Sequence, residues 1–156
     1  MKKNVDQQVK INGETIENVE EFEYLGSLLT WDNNCSKEIT RRINKANGVM
    51  ASMKHIWTSG KLTIESQINL LTTCVFSVLL FASETSTLKE TDTNKLLAFE
   101  MRCYRRILRI RWMEMLRNVD IRKRIGVKET IIDVIKKRKL RLFGHTVLAK
   151  IIRTEN

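Results

Sequence analysis

Arg102, Arg105, Arg106 and Arg109 lie at relative positions 0, 3, 4 and 7 within FEMRCYRRILRIRW, residues 99–112. A helix turns about 100° per residue, so these four side chains share one arc about 100° wide. The planar guanidinium fork engages phosphate oxygens two at a time, which makes the chemistry non-covalent polyanion binding. Glu100 is the sole acid in that stretch. Like charges at i, i+4 repel by roughly a few tenths of a kcal/mol, and a phosphate backbone would relieve them. Phe99, Cys103, Ile107 and Ile110 form a neighbouring apolar stripe, which Tyr104, Leu108 and Trp112 widen.

A second basic segment, VIKKRKLRLFGH, interleaves Lys136, Lys137, Lys139 and Arg141 with Ile135, Leu140, Leu142 and Phe143. It reads as a further nucleic-acid-contacting helix. A basic amphipathic helix also suits an anionic bilayer, but these apolar positions serve a packed bundle equally well, and no membrane partner is expected. His145 follows; a lone histidine is more often a structural hydrogen-bonding residue than a catalyst.

Catalytic chemistry has little to work with. Asp6, Asp32, Asp92, Asp120 and Asp133 are scattered, with no pair adjacent. A two-metal nucleotidyl site needs carboxylates converging on ions about 4 Å apart. Cys35, Cys74 and Cys103 lack metal-ligand spacing and read as structural thiols in a reducing compartment. We therefore expect no catalytic residue, no metal ligand, no cofactor and no enzymatic activity of the isolated chain.

The elements that must position the arginines follow from periodicity. The 156 residues contain no proline, which removes the strongest helix breaker. Net charge is +10, and residues 100–156 hold 17 basic and 6 acidic side chains. That asymmetry points to nucleic acid. Val9, Ile11, Asn12-Gly13, Thr15 and Ile16 predict a hairpin. Phe22, Tyr24, Gly26 and Leu28 alternate with Glu21 and Glu23 and predict a third strand. Asp32 to Ser36 can cap a helix carrying the stripe Ile39, Ile43, Ala46, Met50, Met53 and Trp57. Thr63 can cap a central helix carrying Ile64, Ile68, Leu71, Val75, Val78 and Ala82. Thr91 and Asp92 open a third, running to about Trp112. Asn118 can start a short helix ending at Gly126. Thr130 can start a last one ending near Gly144. The fold class is mainly α: a β element over 1–30, then a bundle of about five helices over 31–156.

The ordered segments VKINGETIENVEEFEYLGSLLTWDNNCSKEITRRI, LLTTCVFSVLLFASET, FEMRCYRRILRIRW and RKLRLFGH resemble the tail of non-LTR retrotransposon (LINE-type) reverse transcriptases of the RTE and Jockey groups. The likeness covers about residues 9–148. It implies that Tyr24, Leu25 and Gly26 match the primer grip and that Arg41 and Arg42 match a basic pair on the first thumb helix. Arg102 to Leu108 match the family's RCYRRIL segment, and Lys139 to His145 its RLRWFGH segment. Where the family usually shows a YGxETWT-like run this chain has FASETST, with Ala82 at the glycine and Ser86 at the tryptophan. Leu142 stands at a frequent tryptophan. The resemblance implies a carboxy-terminal fragment of an intracellular enzyme, beginning downstream of the palm aspartates and magnesium site. Its partners would be RNA and DNA, bound as template–primer without sequence preference, and the parent's palm and fingers. The alternatives are a stand-alone helical protein-interaction scaffold or a decayed element without selected function.

Overall fold

Alternating charge and apolarity in the first thirty residues produces two hairpins. The computed structural model describes residues 10, 11 and 13–154. Strands β1 (Lys10–Ile11) and β2 (Glu14–Thr15) pair antiparallel, Lys10 opposite Thr15. Gly13 takes a positive φ of 88° between them; Val9 and Asn12, also expected there, lie outside the described residues. The expected third strand is corrected. It folds back on itself as β3 (Glu21–Tyr24) and β4 (Ser27–Thr30), joined by Leu25-Gly26. Both turn residues have positive φ, 47° and 78°, which is the type I′ turn that matches strand twist. A leucine at its first position hid it, because Asn or Asp is the usual signal.

The pairing register fixes which side chains share a face. Phe22 lies opposite Leu29 and Tyr24 opposite Ser27. The Trp31 N–H donates to the Glu20 carbonyl at 3.0 Å, continuing the register. Phe22, Tyr24, Leu29 and Trp31 therefore line one face, and each is more than half exposed.

The chain divides into two units, one ending at Asn34 and one beginning at Cys35. The second is helical: α1 (Ser36–Ser52), α2 (Lys54–Thr58), α3 (Ile64–Leu70), a π-helical turn (Leu71–Phe76), α4 (Ser77–Leu79), α5 (Glu90–Ile107), α6 (Asn118–Ile125) and α7 (Ile131–Thr154). The chain is thus mainly helical with a small amino-terminal β element. Ile39, Ala46, Trp57, Leu71, Val75, Phe99, Ile107, Ile121 and Ile135 are among the side chains of its core. Among the described residues no helix is long and apolar enough to cross a membrane.

Several helix boundaries differ from the periodicity. The first stripe breaks at Met53, and the Trp57 indole donates to the Met50 carbonyl at 2.8 Å, satisfying a group exposed by the break. The π turn inserts an extra residue into the central helix. Phe76, Leu79 and Leu80, which the sequence places on a widened apolar face of this helix, are buried as expected, whereas Val78 and Ala82 of the stripe are only half-buried and Ser83 is buried in addition. The Thr73 hydroxyl donates to the Asn69 carbonyl at 2.7 Å within this segment, competing with the helical ladder. Helix α7 passes through Gly144 to Thr154; one glycine costs about 1 kcal/mol against alanine, too little to stop a helix.

The caps at Thr63 and Thr130 form as expected. Thr63 accepts from the Ser66 N–H at 3.2 Å. Thr130 accepts from the Asp133 N–H at 3.1 Å, while Asp133 accepts from the Thr130 N–H at 2.8 Å. The Thr130 hydroxyl, which donates to Asp133 Oδ2 at 2.7 Å, and then the Thr130 N–H hold the Asp133 carboxyl below the usual carboxylate range. A depressed pKa stabilises the fold above the ordinary value of 3.8, and that contribution disappears as pH falls through the lowered one. Thr130→Ala should cost about 1 kcal/mol, read as a lower urea midpoint.

Candidate nucleic-acid interface

Helix α5 separates its arginines from its apolar side chains. Phe99, Cys103, Tyr104 and Ile107 are buried, whereas Arg102 and Arg106 are exposed one turn apart. Those two arginines have no hydrogen bond or ion pair among the described residues. Arg105 is half-buried and donates to the Leu116 carbonyl at 3.2 Å and to Asn118 Oδ1 at 2.9 Å. It ties α5 to the start of α6. Asn118 is therefore engaged by Arg105 and does not cap its own helix, which has no side-chain cap.

Arg109 is not on the helix. It has φ of 55° and occupies the position after the cap residue Leu108. The Ile110 N–H bonds back to the Arg105 carbonyl at 2.9 Å and the Arg109 N–H to that of Arg106 at 3.3 Å. This is a Schellman ending with arginine where glycine is usual, and it closes α5 five residues before the expected Trp112. A left-handed non-glycine costs roughly 1–2 kcal/mol. Arg109 Nη2 donates to the Thr58 carbonyl at 2.7 Å, anchoring the turn to the end of α2. The ladder of four thus becomes two exposed arginines without a partner among the described residues and two, the half-buried Arg105 and the exposed Arg109, whose guanidinium groups brace the fold. The side chain of Trp112 lies outside the described residues.

Glu100, the sole acid of residues 99–112, faces the core. Its carboxylate accepts from Arg122 Nη2 at 2.6 Å, the Ile131 N–H at 3.0 Å and the Tyr104 hydroxyl at 3.2 Å. It joins α5, α6 and α7 and leaves the displayed pair unneutralised. Burial pushes the adjacent Cys103 thiol up to about 12, outweighing Arg102 and Arg106. That thiol is structural.

No protein-family model, curated protein or solved structure matches the chain.

The remaining expected residues are dispersed. Tyr24, Leu25 and Gly26 form the tip of the second hairpin. Arg41 and Arg42 both bond Glu38, at 2.8 Å and 2.6 Å. Arg42 is only 7% exposed, and its guanidinium carbon lies 4.3 Å from the centre of the Phe81 ring. It braces the core and is not displayed to a ligand. On α7, Lys137 pairs with Glu129 and Lys139 donates to the Ser86 carbonyl. Lys136 is exposed. Arg141 and His145 line an open depression of about 350 Å³ with Glu84, Arg138 and Leu142. Arg138 donates to the Leu80 carbonyl at 3.1 Å and lies 3.6 Å from Glu84.

Lys123 and Arg124, which were not among the expected residues, are exposed at the end of α6. The signal was present in the run Arg122-Lys123-Arg124. Its first member turns inward to Glu100 while the other two remain outside.

Proposed function

We propose that this chain is the primer-grip and thumb region of a non-LTR retrotransposon reverse transcriptase, and that it holds template–primer through sequence-independent phosphate contacts. The observation that carries the reading is the exposed Arg102 and Arg106 pair, fixed on a core helix whose nearest acid, Glu100, is committed elsewhere. Two further features support it. The YLG segment is the tip of a tight hairpin, a shape suited to touching a primer end, and the apolar face of that hairpin suits packing against a palm. Ala82, at the position where the resembled family has glycine, has φ of 55°. That conformation favours glycine. Ala82→Gly should accordingly raise stability by about 0.5–1 kcal/mol, the relief of strain exceeding the added unfolded-state entropy; a urea midpoint that falls would count against the glycine match.

In this reading the palm and fingers supply the carboxylates and magnesium, and this chain supplies none. The setting is intracellular, in cytoplasm, nucleus or both. Titration of the purified chain with an RNA–DNA hybrid, beside heparin, tests the proposal. Salt-sensitive hybrid binding with Kd of about 10⁻⁴–10⁻⁶ M is expected, tighter than heparin. Heparin binding as well as hybrid would favour a general acidic partner. Magnesium-dependent primer extension by the chain would overturn its non-catalytic assignment.

A further inference from the structure

Beyond residue 138, α7 has outrun the core. Ile131, Ile132 and Ile135 are buried, whereas Leu140 is 70% and Phe143 66% exposed, and Val147 is also exposed. Leu140, Phe143 and Val147 are spaced three and four apart, the repeat of a coiled-coil seam. At about 100° per residue they occupy a strip about 60° wide, turned roughly 100° away from the core-facing isoleucines. Lys136 stands in line with the strip one turn earlier. Lys139 flanks it on one side and Arg141 on the other. Lys137 is paired with Glu129 and the half-buried Lys139 donates to the Ser86 carbonyl, so the displayed charge beside the strip belongs to Lys136 at its start and to Arg141.

We infer that this exposed seam of α7 docks an acidic amphipathic helix of a partner protein. Charge complementarity selects the occupant. A second copy of the chain would set the same basic flanks against each other, and like charges across such a seam oppose pairing. A bilayer is met by a broad continuous apolar arc, and Lys136 would be driven into the bilayer. Leu142 is also exposed, but it lies about 100° from Phe143 and lines the depression with Glu84 and Arg138, so it does not widen the strip. A helix with apolar residues at matching spacing and glutamates beside them satisfies both the strip and its flanks. This surface is separate from Arg102 and Arg106, but Lys136 and Arg141 beside it are among the expected nucleic-acid contacts, so peptide and hybrid are titrated separately.

The probe is a labelled three-heptad peptide with leucine at the seam positions and glutamate at the flanks, titrated against the full chain. Its counterpart carries lysine at the flanks. Phosphatidylserine–phosphatidylcholine vesicles form the third arm. The acidic peptide should bind and the lysine peptide should not. Leu140→Ser combined with Phe143→Ser should weaken peptide binding about tenfold or more, since two exposed apolar side chains lose their partner surface. Both residues are exposed, so the melting temperature and the affinity for an RNA–DNA hybrid should be unchanged in that variant. Failure of the acidic peptide to bind, or equal binding by the double-serine variant, overturns the inference. Vesicle binding tighter than peptide binding, and lost in the same variant, would replace it with a membrane surface.

Discussion

Replacing Glu100 with alanine is expected to destabilise the chain by about 3–5 kcal/mol, the usual consequence of removing one partner of a buried ion pair. Glu100 is 1% exposed and its carboxylate receives three donors from three elements. Alanine would strand the Arg122 guanidinium, the Ile131 N–H at the start of α7 and the Tyr104 hydroxyl together. Typical folding stability is about 5–15 kcal/mol, so much of the total is at stake. Glutamine should cost far less, about 1 kcal/mol, because its amide oxygen keeps part of the network. Burial raises the Glu100 carboxyl above its ordinary 4.5 despite Arg122 and two hydrogen bonds pulling it down. A raised folded-state pKa stabilises fully below the ordinary value, and that benefit is lost as pH rises through the raised one. The wild-type chain should therefore lose part of its stability above pH 4.5, while Glu100→Gln should not show that component. Urea titrations of the three proteins across that window decide it. An alanine variant as stable as wild type would mean that the network carries no net energy.

What made parts of this fold legible was repetition at helical spacing. The apolar residues of α1 and α5 recur so regularly that only one helix face can be buried. Threonine caps at Thr63 and Thr130 were readable because their bonds span only three residues. What stayed hidden arises where the expected residue type is absent. Leu25 and Arg109 both adopt left-handed conformations without being glycine or asparagine. Tertiary contacts hold Arg109 there, and no local signal announces them. The π turn was hidden for a different reason, since one extra residue changes the phase of a stripe without changing its composition.

The candidate site was legible as charge and illegible as geometry. Spacing alone put four arginines on one arc. It could not show that Arg105 would reach Asn118 or that Arg109 would reach Thr58, because those partners lie 13 and 51 residues away in sequence. Arg42 was likewise readable as a cation but not as the partner of Glu38 and Phe81. Long-range partners convert an apparent binding residue into a structural one, and only the folded chain reveals which has occurred.

The division of the four arginines leads to the second large effect. Arg102→Gln combined with Arg106→Gln should reduce the slope of log K against log salt for an RNA–DNA hybrid by about 2, near 0.9 for each phosphate no longer neutralised. Both side chains are exposed, and neither has a partner among the described residues. Their replacement should leave the urea midpoint within about 0.5 kcal/mol of wild type, as for ordinary surface positions. The complementary variant, Arg105→Gln with Arg109→Gln, should behave in reverse. It removes three hydrogen bonds to other parts of the fold and should cost about 1–3 kcal/mol, with a smaller change in slope. The two pairs therefore separate on two axes, affinity and stability, although all four residues carry the same charge. A general polyanion attraction would lower the slope equally for both pairs. An unchanged slope in the Arg102 and Arg106 variant would move the interface to Lys123 and Arg124 on α6, or to α7. Either result would withdraw the observation on which the thumb assignment rests, whether or not the hybrid still binds.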